Sequence, residues 1–417
     1  MPRDRTTDDA QDLFSRGHKA LDTGAFSEAV ECFSRAIRLR PDVSAGYRYR
    51  AYAYRELGDR IRALNDLDAA IRLKPDDEQA YSDRAAELFA QKAFDQAVAD
   101  CDRVLKLDPG RAGVNALRGR CHAARGDTPA ALADFAVAIG GDPDDAPRYL
   151  RWRAELRRDC DDLAAAEADC TEALRRDPAD AEAYHLRGTV RQQAEDTAGA
   201  VDDFTEAARL KPAHWPSLLG RAVCRFVQHD YPGVVADCDA AVALNPGVAR
   251  AFELRGSAYK FLGDLDAARA NFDEAVRLAP AGVMAYNYRA GVHYARGDYA
   301  AAVRDHMEAL KRDPRHAGTF NQLGWVWATC PDPDVRNGPR AKECATRACE
   351  LTEWAEPGYL DTLAAASAEC GEFDDAVKWQ EKALAMVDSA ARQDDYRSRL
   401  DSYLRRKPAR AEGGVAE

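Results

Sequence analysis

The sequence predicts an all-α array of helical hairpins, and two observations predict it. The first is a period. Prolines recur in one context at Pro41, Pro75, Pro109, Pro143, Pro178, Pro212, Pro246, Pro280 and Pro314, every step being 34 residues except the 35 between Pro143 and Pro178. The second is the content of one period. In Ala249–Pro280, ARAFELRGSAYKFLGDLDAARANFDEAVRLAP, two helically spaced apolar patterns flank the break Gly263-Asp264. Pro280 ends the second pattern, because a residue without an N–H cannot continue the hydrogen-bond ladder. A sustained period of this length with two helices per unit is the signature of a helical solenoid, whose neighbouring hairpins bury one another's apolar faces. Such a chain is one long surface, and its fold requires no pocket.

Composition agrees with packed helices. Of 417 residues, 46% are hydrophobic and 31% charged, and a repeat array grows by addition, so the chain reads as one elongated domain. The formal net charge of -12 argues against generic nucleic-acid or membrane binding by the whole surface, while leaving room for a local basic patch. The N-terminal MPRDRTTDDAQDLF lacks the apolar core of a signal peptide, and no run approaches the roughly 20 apolar residues that span a bilayer. A cytoplasmic location is therefore expected. The 11 cysteines follow the repeat and not a paired framework. Cys101, Cys170 and Cys238 stand where other repeats have Phe33, Phe135, Phe204 and Phe272, and read as buried small apolar residues in a reducing compartment. No CxxC pair occurs and Cys344 with Cys349 is a poor zinc spacing, so neither metal nor cofactor is expected.

Taken in order, residues 1–9 are polar and read as a flexible N-terminus. Nine regular units fill 10–316, beginning near Ala10, Ser44, Glu78, Ala112, Pro147, Ala181, Trp215, Ala249 and Val283. Counting from those residues, position 8 is always small: Gly17, Ala51, Ala85, Gly119, Ala154, Gly188, Ala222, Gly256 and Ala290. Position 20 is Ala except for Val234, and position 27 is Ala except for Val104. Small side chains there let two helices approach closely, and the larger residue at position 24 fills the gap beyond them.

These positions resemble the tetratricopeptide repeat (TPR) family, with its small residues at 8, 20 and 27, an aromatic near 24 and proline at 32. The resemblance runs over roughly residues 10–388. It implies a right-handed superhelical solenoid whose first helices line a concave groove. One departure stands out at position 7, where leucine is usual in the family. Here every regular unit has arginine: Arg16, Arg50, Arg84, Arg118, Arg153, Arg187, Arg221, Arg255 and Arg289. Position 23 carries Asp66, Asp100, Asp134, Asp169, Asp203, Asp237 and Asp305, with Cys32 and Asn271 as exceptions. Charges held beside packed helices must be paired, so the pattern predicts an Arg–Asp ladder between first and second helices. The competing reading is an arginine row that faces an acidic ligand.

After Pro314 the rhythm changes, and residues 317–388 read as two irregular units. Phe320-Asn321-Gln322-Leu323-Gly324-Trp325 opens the tenth, and the insertion Cys330–Pro339 precedes its second helix, with Pro339 suited to a first helical turn. This segment looks like the closing repeat pair of many bacterial TPR proteins. A capping helix over 389–406, with Tyr396, Leu400 and Tyr403 at helical spacing, covers the last hairpin, and 407–417 is a flexible tail.

The sequence contains no HExxH helix, no glycine-rich phosphate loop with its lysine and no GxSxG elbow, so catalysis is not expected. Binding is. The TPR resemblance implies that positions 2, 5, 9 and 12 of each first helix face the groove, and these vary between units. They supply Arg48, Tyr52 and Arg55, then Arg120, then Arg148, Arg151 and Arg158, a basic N-terminal half suited to an acidic or carboxylate-ended peptide. Leu219, Val223 and Phe226 form an apolar patch, and Asn287, Tyr294, Asn321 and Trp325 offer amides and rings to a peptide backbone. The expected function is a non-enzymatic scaffold that holds an extended peptide or protein partner in the groove. The alternative is RNA along the same basic stretch.

Overall fold

The computed structural model describes residues 5–387 and 389–410, with side chains from residue 9 onward. The outer parts of the expected flexible ends, 1–4 and 411–417, lie outside the described residues, whereas 5–9 are already helical. Among the described residues there are 23 helices and no strand. They fall into two compact units that meet in sequence at Asp196 and Thr197.

The first unit contains α1 (Arg5–Asp22), α2 (Phe26–Leu39), α3 (Ser44–Glu56), α4 (Arg60–Leu73), α5 (Glu78–Ala90), α6 (Phe94–Leu105), α7 (Ala112–Ala124), α8 (Thr128–Gly141), α9 (Ala146–Asp159), α10 (Leu163–Arg176) and α11 (Ala181–Gln193). The second contains α12 (Thr197–Leu210), α13 (Trp215–Val227), α14 (Tyr231–Leu244), α15 (Ala249–Phe261), α16 (Leu265–Leu278), α17 (Val283–Ala295), α18 (Tyr299–Arg312), α19 (Ala317–Thr329), α20 (Gly338–Leu351), α21 (Pro357–Glu369), α22 (Phe373–Ala385) and α23 (Ala390–Leu404). Odd-numbered helices up to α21 are the first helices of repeats and even-numbered ones the second, so each unit is an all-α stack of the hairpins that the sequence predicts.

The Gly-Asp pairs set the hairpin turns. At Gly263-Asp264 the glycine sits at φ 83°, a left-handed conformation that closes α15, and the Asp264 carboxylate accepts the Ala267 N–H at 2.9 Å to cap α16. Side-chain size then sets the distance between the two helices. Where position 8 is glycine the ring at position 24 lies against it: a methyl group at Gly17 would fall 2.7 Å from the Phe33 ring, and one at Gly256 would fall 3.0 Å from Phe272. Repeats with alanine at position 8 carry Leu67, Cys101, Cys170, Cys238 or His306 instead. Volume is conserved across the pair, as close packing requires.

The Arg–Asp ladder exists and lies within repeats. Arg50, Arg84, Arg118, Arg153, Arg221 and Arg289 each hold the aspartate sixteen residues on through two parallel bonds of 2.6–3.0 Å. Arg255 donates to Asn271 at 2.7 Å. A second leg, absent from the sequence reading, runs sixteen residues back. The Nη1 atoms of Arg84, Arg118 and Arg289 reach Asp68, Asp102 and Asp273 of the preceding repeat at 2.6–2.8 Å, Arg255 reaches Asp239, and Arg50 reaches Ser34 at 3.0 Å. Each of these five arginines thus ties two hairpins together. Arg153 has Val137 at that spacing, on account of the 35-residue step, and its aspartate takes Arg157 at 2.7 Å. With these guanidinium groups occupied, the reading of this row as a ligand surface gives way to structural pairing.

The last two repeats drop the pair: Leu323 and Leu363 take the arginine's place, and both are buried. The insertion is pinned by Arg336, which donates to the carbonyls of Cys330 and Pro331 and, at 3.1 Å, to Glu369. Asn337 caps α20, and Tyr403 of α23 is fully buried against Ala364, Ala368 and Ala376.

Candidate functional site

Within each unit the first helices also touch one another: α5 with α7, α7 with α9 and α9 with α11 in the first, α13 with α15, α15 with α17 and α19 with α21 in the second. The second helices make no contact of comparable extent among the described residues. The first-helix side is therefore the closer-packed, inner side of each unit.

On the inner side of the first unit, Arg120 of α7 is sandwiched between aromatic rings. Its guanidinium lies 4.4 Å from the centroid of Phe89 on α5 and 4.5 Å from that of Trp152 on α9. It has no hydrogen bond or ion pair among the described residues, and burial lowers its pKa, opposed by the charge of Glu155. Burial in turn pushes the Glu155 carboxyl up, against the pull of Arg158 and Arg151. Arg148 lies over the same Trp152 ring at 5.3 Å and is paired to Asp145. Three other predicted arginines are also partnered: Arg151 with Asp180 at 2.8 Å, Arg158 with Asp159 at 2.7 Å, and Arg55 with Glu56 at 3.0 Å and Glu87 at 3.8 Å. Arg55 covers the exposed Tyr52 ring at 4.4 Å. Arg48 stands over Tyr49 at 5.1 Å, and its Nε is buried without a partner among the described residues. The basic stretch reduces to two unpaired cations, Arg48 and Arg120, on a largely neutralised face.

On the inner side of the second unit, Leu219, Val223 and Phe226 are half-buried and pack against Ala222, Val234, Cys238, Leu254 and Ala258. Phe226 is edge-on to Tyr231 and Phe261, both at 5.6 Å. Two expected contact residues are instead inside the packing. Asn287 is 6% exposed; its amide donates to Thr319 Oγ1 at 2.7 Å and its Oδ1 faces His306 Nδ1 at 3.0 Å. Tyr294 is 5% exposed among Ala290, Ala302 and Val326, and burial pushes its phenol up to about 12. Neighbouring repeats close over both, so neither faces a ligand. Trp325 is half-buried under Arg399 of α23, 5.6 Å from its ring, while Arg399 pairs with the buried Asp361 at 2.8 Å. Asn321 keeps its Oδ1 buried and without a partner among the described residues. Sequence reasoning missed Lys260, Phe261, Phe89 and Trp152, although position 12 and the helical spacing of the rings were there to be read.

Family models described as tetratricopeptide repeat match residues 14–78, 50–112 and 253–317, residues 88–156, and residues 358–387. Together they cover more than half of the chain. The sequence matches no curated protein. Among solved structures the chain is similar to one in the crystal structure of the APC/C hetero-tetramer Cut9–Hcn1, at 13% identity and a TM-score of 0.50 over 95% of this chain and 96% of that one. It is also similar to yeast Tom70, at 15% identity and a TM-score of 0.43 over 95% of both chains. A tetratricopeptide repeat protein from Parabacteroides merdae ATCC 43184 aligns at 18% identity and a TM-score of 0.47, over 62% of this chain and 98% of its own. These likenesses concern the fold.

Proposed function

The chain belongs to the tetratricopeptide repeat family, a family of protein-interaction scaffolds, and on that premise we propose that its inner face binds an extended, acidic segment of a protein partner without catalysis. The observation that carries this reading is Arg120. A half-buried guanidinium held between Phe89 and Trp152, with no hydrogen-bonded carboxylate among the described residues, is oriented, partly desolvated and unpaired. A carboxylate arriving from a ligand would gain a charge-assisted bond without first breaking one. Arg48 offers a second such cation on α3. RNA has less to bind on this face, because Arg55, Arg148, Arg151 and Arg158 already have carboxylate partners and leave few phosphates to be neutralised. No helix of the described residues is long and apolar enough to cross a membrane. All 11 cysteines are free thiols, which supports placing the protein in the cytoplasm.

An array of acetylated, amidated peptides graded in Asp and Glu content tests the reading. Acidic members bind the intact protein, R120M weakens them about tenfold, and R175S on α10 leaves them unchanged. Binding that ignores R120M would overturn the assignment.

A further inference from the structure

Lys260 stands on α15 at the position that Phe226 holds on α13. It is half-buried, burial alone lowers its pKa, and it has no hydrogen bond or ion pair among the described residues. Toward the preceding repeat, the residue after it, Phe261, joins Phe226 and Tyr231 in a group of rings. Phe261, 59% exposed, stacks on Tyr231 at 4.8 Å with an interplanar angle of 3°, and Phe226 meets both rings edge-on. Exposed Val227 continues the apolar surface. On the other side α17 presents Gly291: a methyl group there would lie 3.8 Å from Lys260 Nζ, so the ammonium is next to a place where the neighbouring helix has no side chain.

Each half of this surface sets a demand. Single exposed apolar residues are ordinary, but rings stacked on one another and left open form a patch that a partner's apolar side chain covers. A desolvated ammonium without a counter-charge is costly, and a carboxylate brought to it removes the cost. A ligand that satisfies both carries an acid and a large apolar side chain close together. In an extended segment alternate side chains share a face, so the two are separated by one residue. The first-helix face continues on both sides of α15, through its contacts with α13 and α17. A segment that follows this face meets Lys260 with a side-chain carboxylate within a passing chain.

We propose that Lys260, Phe226 and Phe261 form a subsite for an internal partner segment in which one residue separates an Asp or Glu from a large apolar side chain. The inference rests on the reading of the inner face as the binding surface.

Fluorescence polarisation with the full chain tests it, using an acetylated, amidated, labelled peptide Ala-Gly-Glu-Ser-Phe-Gly-Ala. The Glu→Gln peptide binds about tenfold more weakly to the native protein, the factor for one charge-assisted hydrogen bond, and the two peptides bind K260M alike. K260M keeps its far-UV circular dichroism and melts no lower, since an unpaired ammonium has been removed. Equal affinity of the two peptides for the native protein, or equal weakening of both by K260M, would overturn the proposal. A Gln peptide with a free C-terminal carboxylate that outbinds the Glu peptide would overturn the internal placement. If array peptides bind through Arg120 yet none responds to Lys260, this inference fails and the inner-face reading stands. If none binds through either residue, that reading fails and this one with it.

Discussion

Arg84 holds Asp100 of its own repeat through two parallel bonds, 2.8 Å from Nε and 2.7 Å from Nη2, and turns Nη1 to Asp68 of the preceding repeat at 2.7 Å. The two carboxylates differ in exposure: the Asp100 side chain is 7% exposed and that of Asp68 45%. D100A leaves a half-buried guanidinium with one partner and costs about 2–3 kcal/mol, whereas D68A removes a solvated pair and costs under about 1 kcal/mol. D100N falls between them, because Arg255 already donates to an asparagine, Asn271, at 2.7 Å. Urea denaturation of the three variants checks the order, and equal losses from D100A and D68A would contradict the ladder's energetics.

The glycine at position 8 answers to the ring at position 24. G17A drives a methyl group to 2.7 Å from Phe33 and costs about 1–3 kcal/mol through overpacking. F33L makes the space that Ala51 and Leu67 share in the next repeat, so the G17A/F33L double variant loses less than the sum of the single losses. Additive losses in a double-mutant cycle would show that the two positions do not limit each other.

Much of this was legible before the fold. The 34-residue period and the small positions lie in spacings that recur through nine units, and the Arg–Asp spacing of the first leg recurs in seven of them. The second leg also lies at a fixed spacing, sixteen residues backward, but the aspartates Asp68 and Asp102, the hydroxyls of Ser34 and of Thr205, which accepts from Arg221 at 3.1 Å, and the apolar Val137 differ in chemistry and hid the pattern. Asn287 and Tyr294 were misplaced for another reason. A position rule treats every first helix alike, while their burial comes from Thr319 and His306 and from Val326, residues of other helices whose packing no periodicity reports. Lys260 stands at position 12, where a lone lysine reads as solvated, and its half-burial beside Gly291 depends on the neighbouring helix and not on the period.

His306 gives the fold a pH dependence. It is 4% exposed, and burial lowers its pKa from 6.5 to about 4. The unfolded chain therefore binds a proton that the folded chain refuses between those values. The stability from His306 is fully present above pH 6.5 and is lost as pH falls toward 4, by on the order of 3 kcal/mol. H306C, with the residue that other repeats place opposite alanine, flattens the thermal midpoint against pH over that range relative to the native protein. Parallel curves for the two would rule out His306 as a source of the slope.

The central claim is that partners bind on the first-helix side. Affinity capture from cytoplasmic lysate tests it most directly, comparing the intact protein, R48S/R120S on the inner face and R175S/R209S on second helices, with circular dichroism confirming that all three are folded. The account predicts that the same partners are recovered by the intact protein and by R175S/R209S and are lost from R48S/R120S. Partners kept by R48S/R120S and lost from R175S/R209S would contradict it.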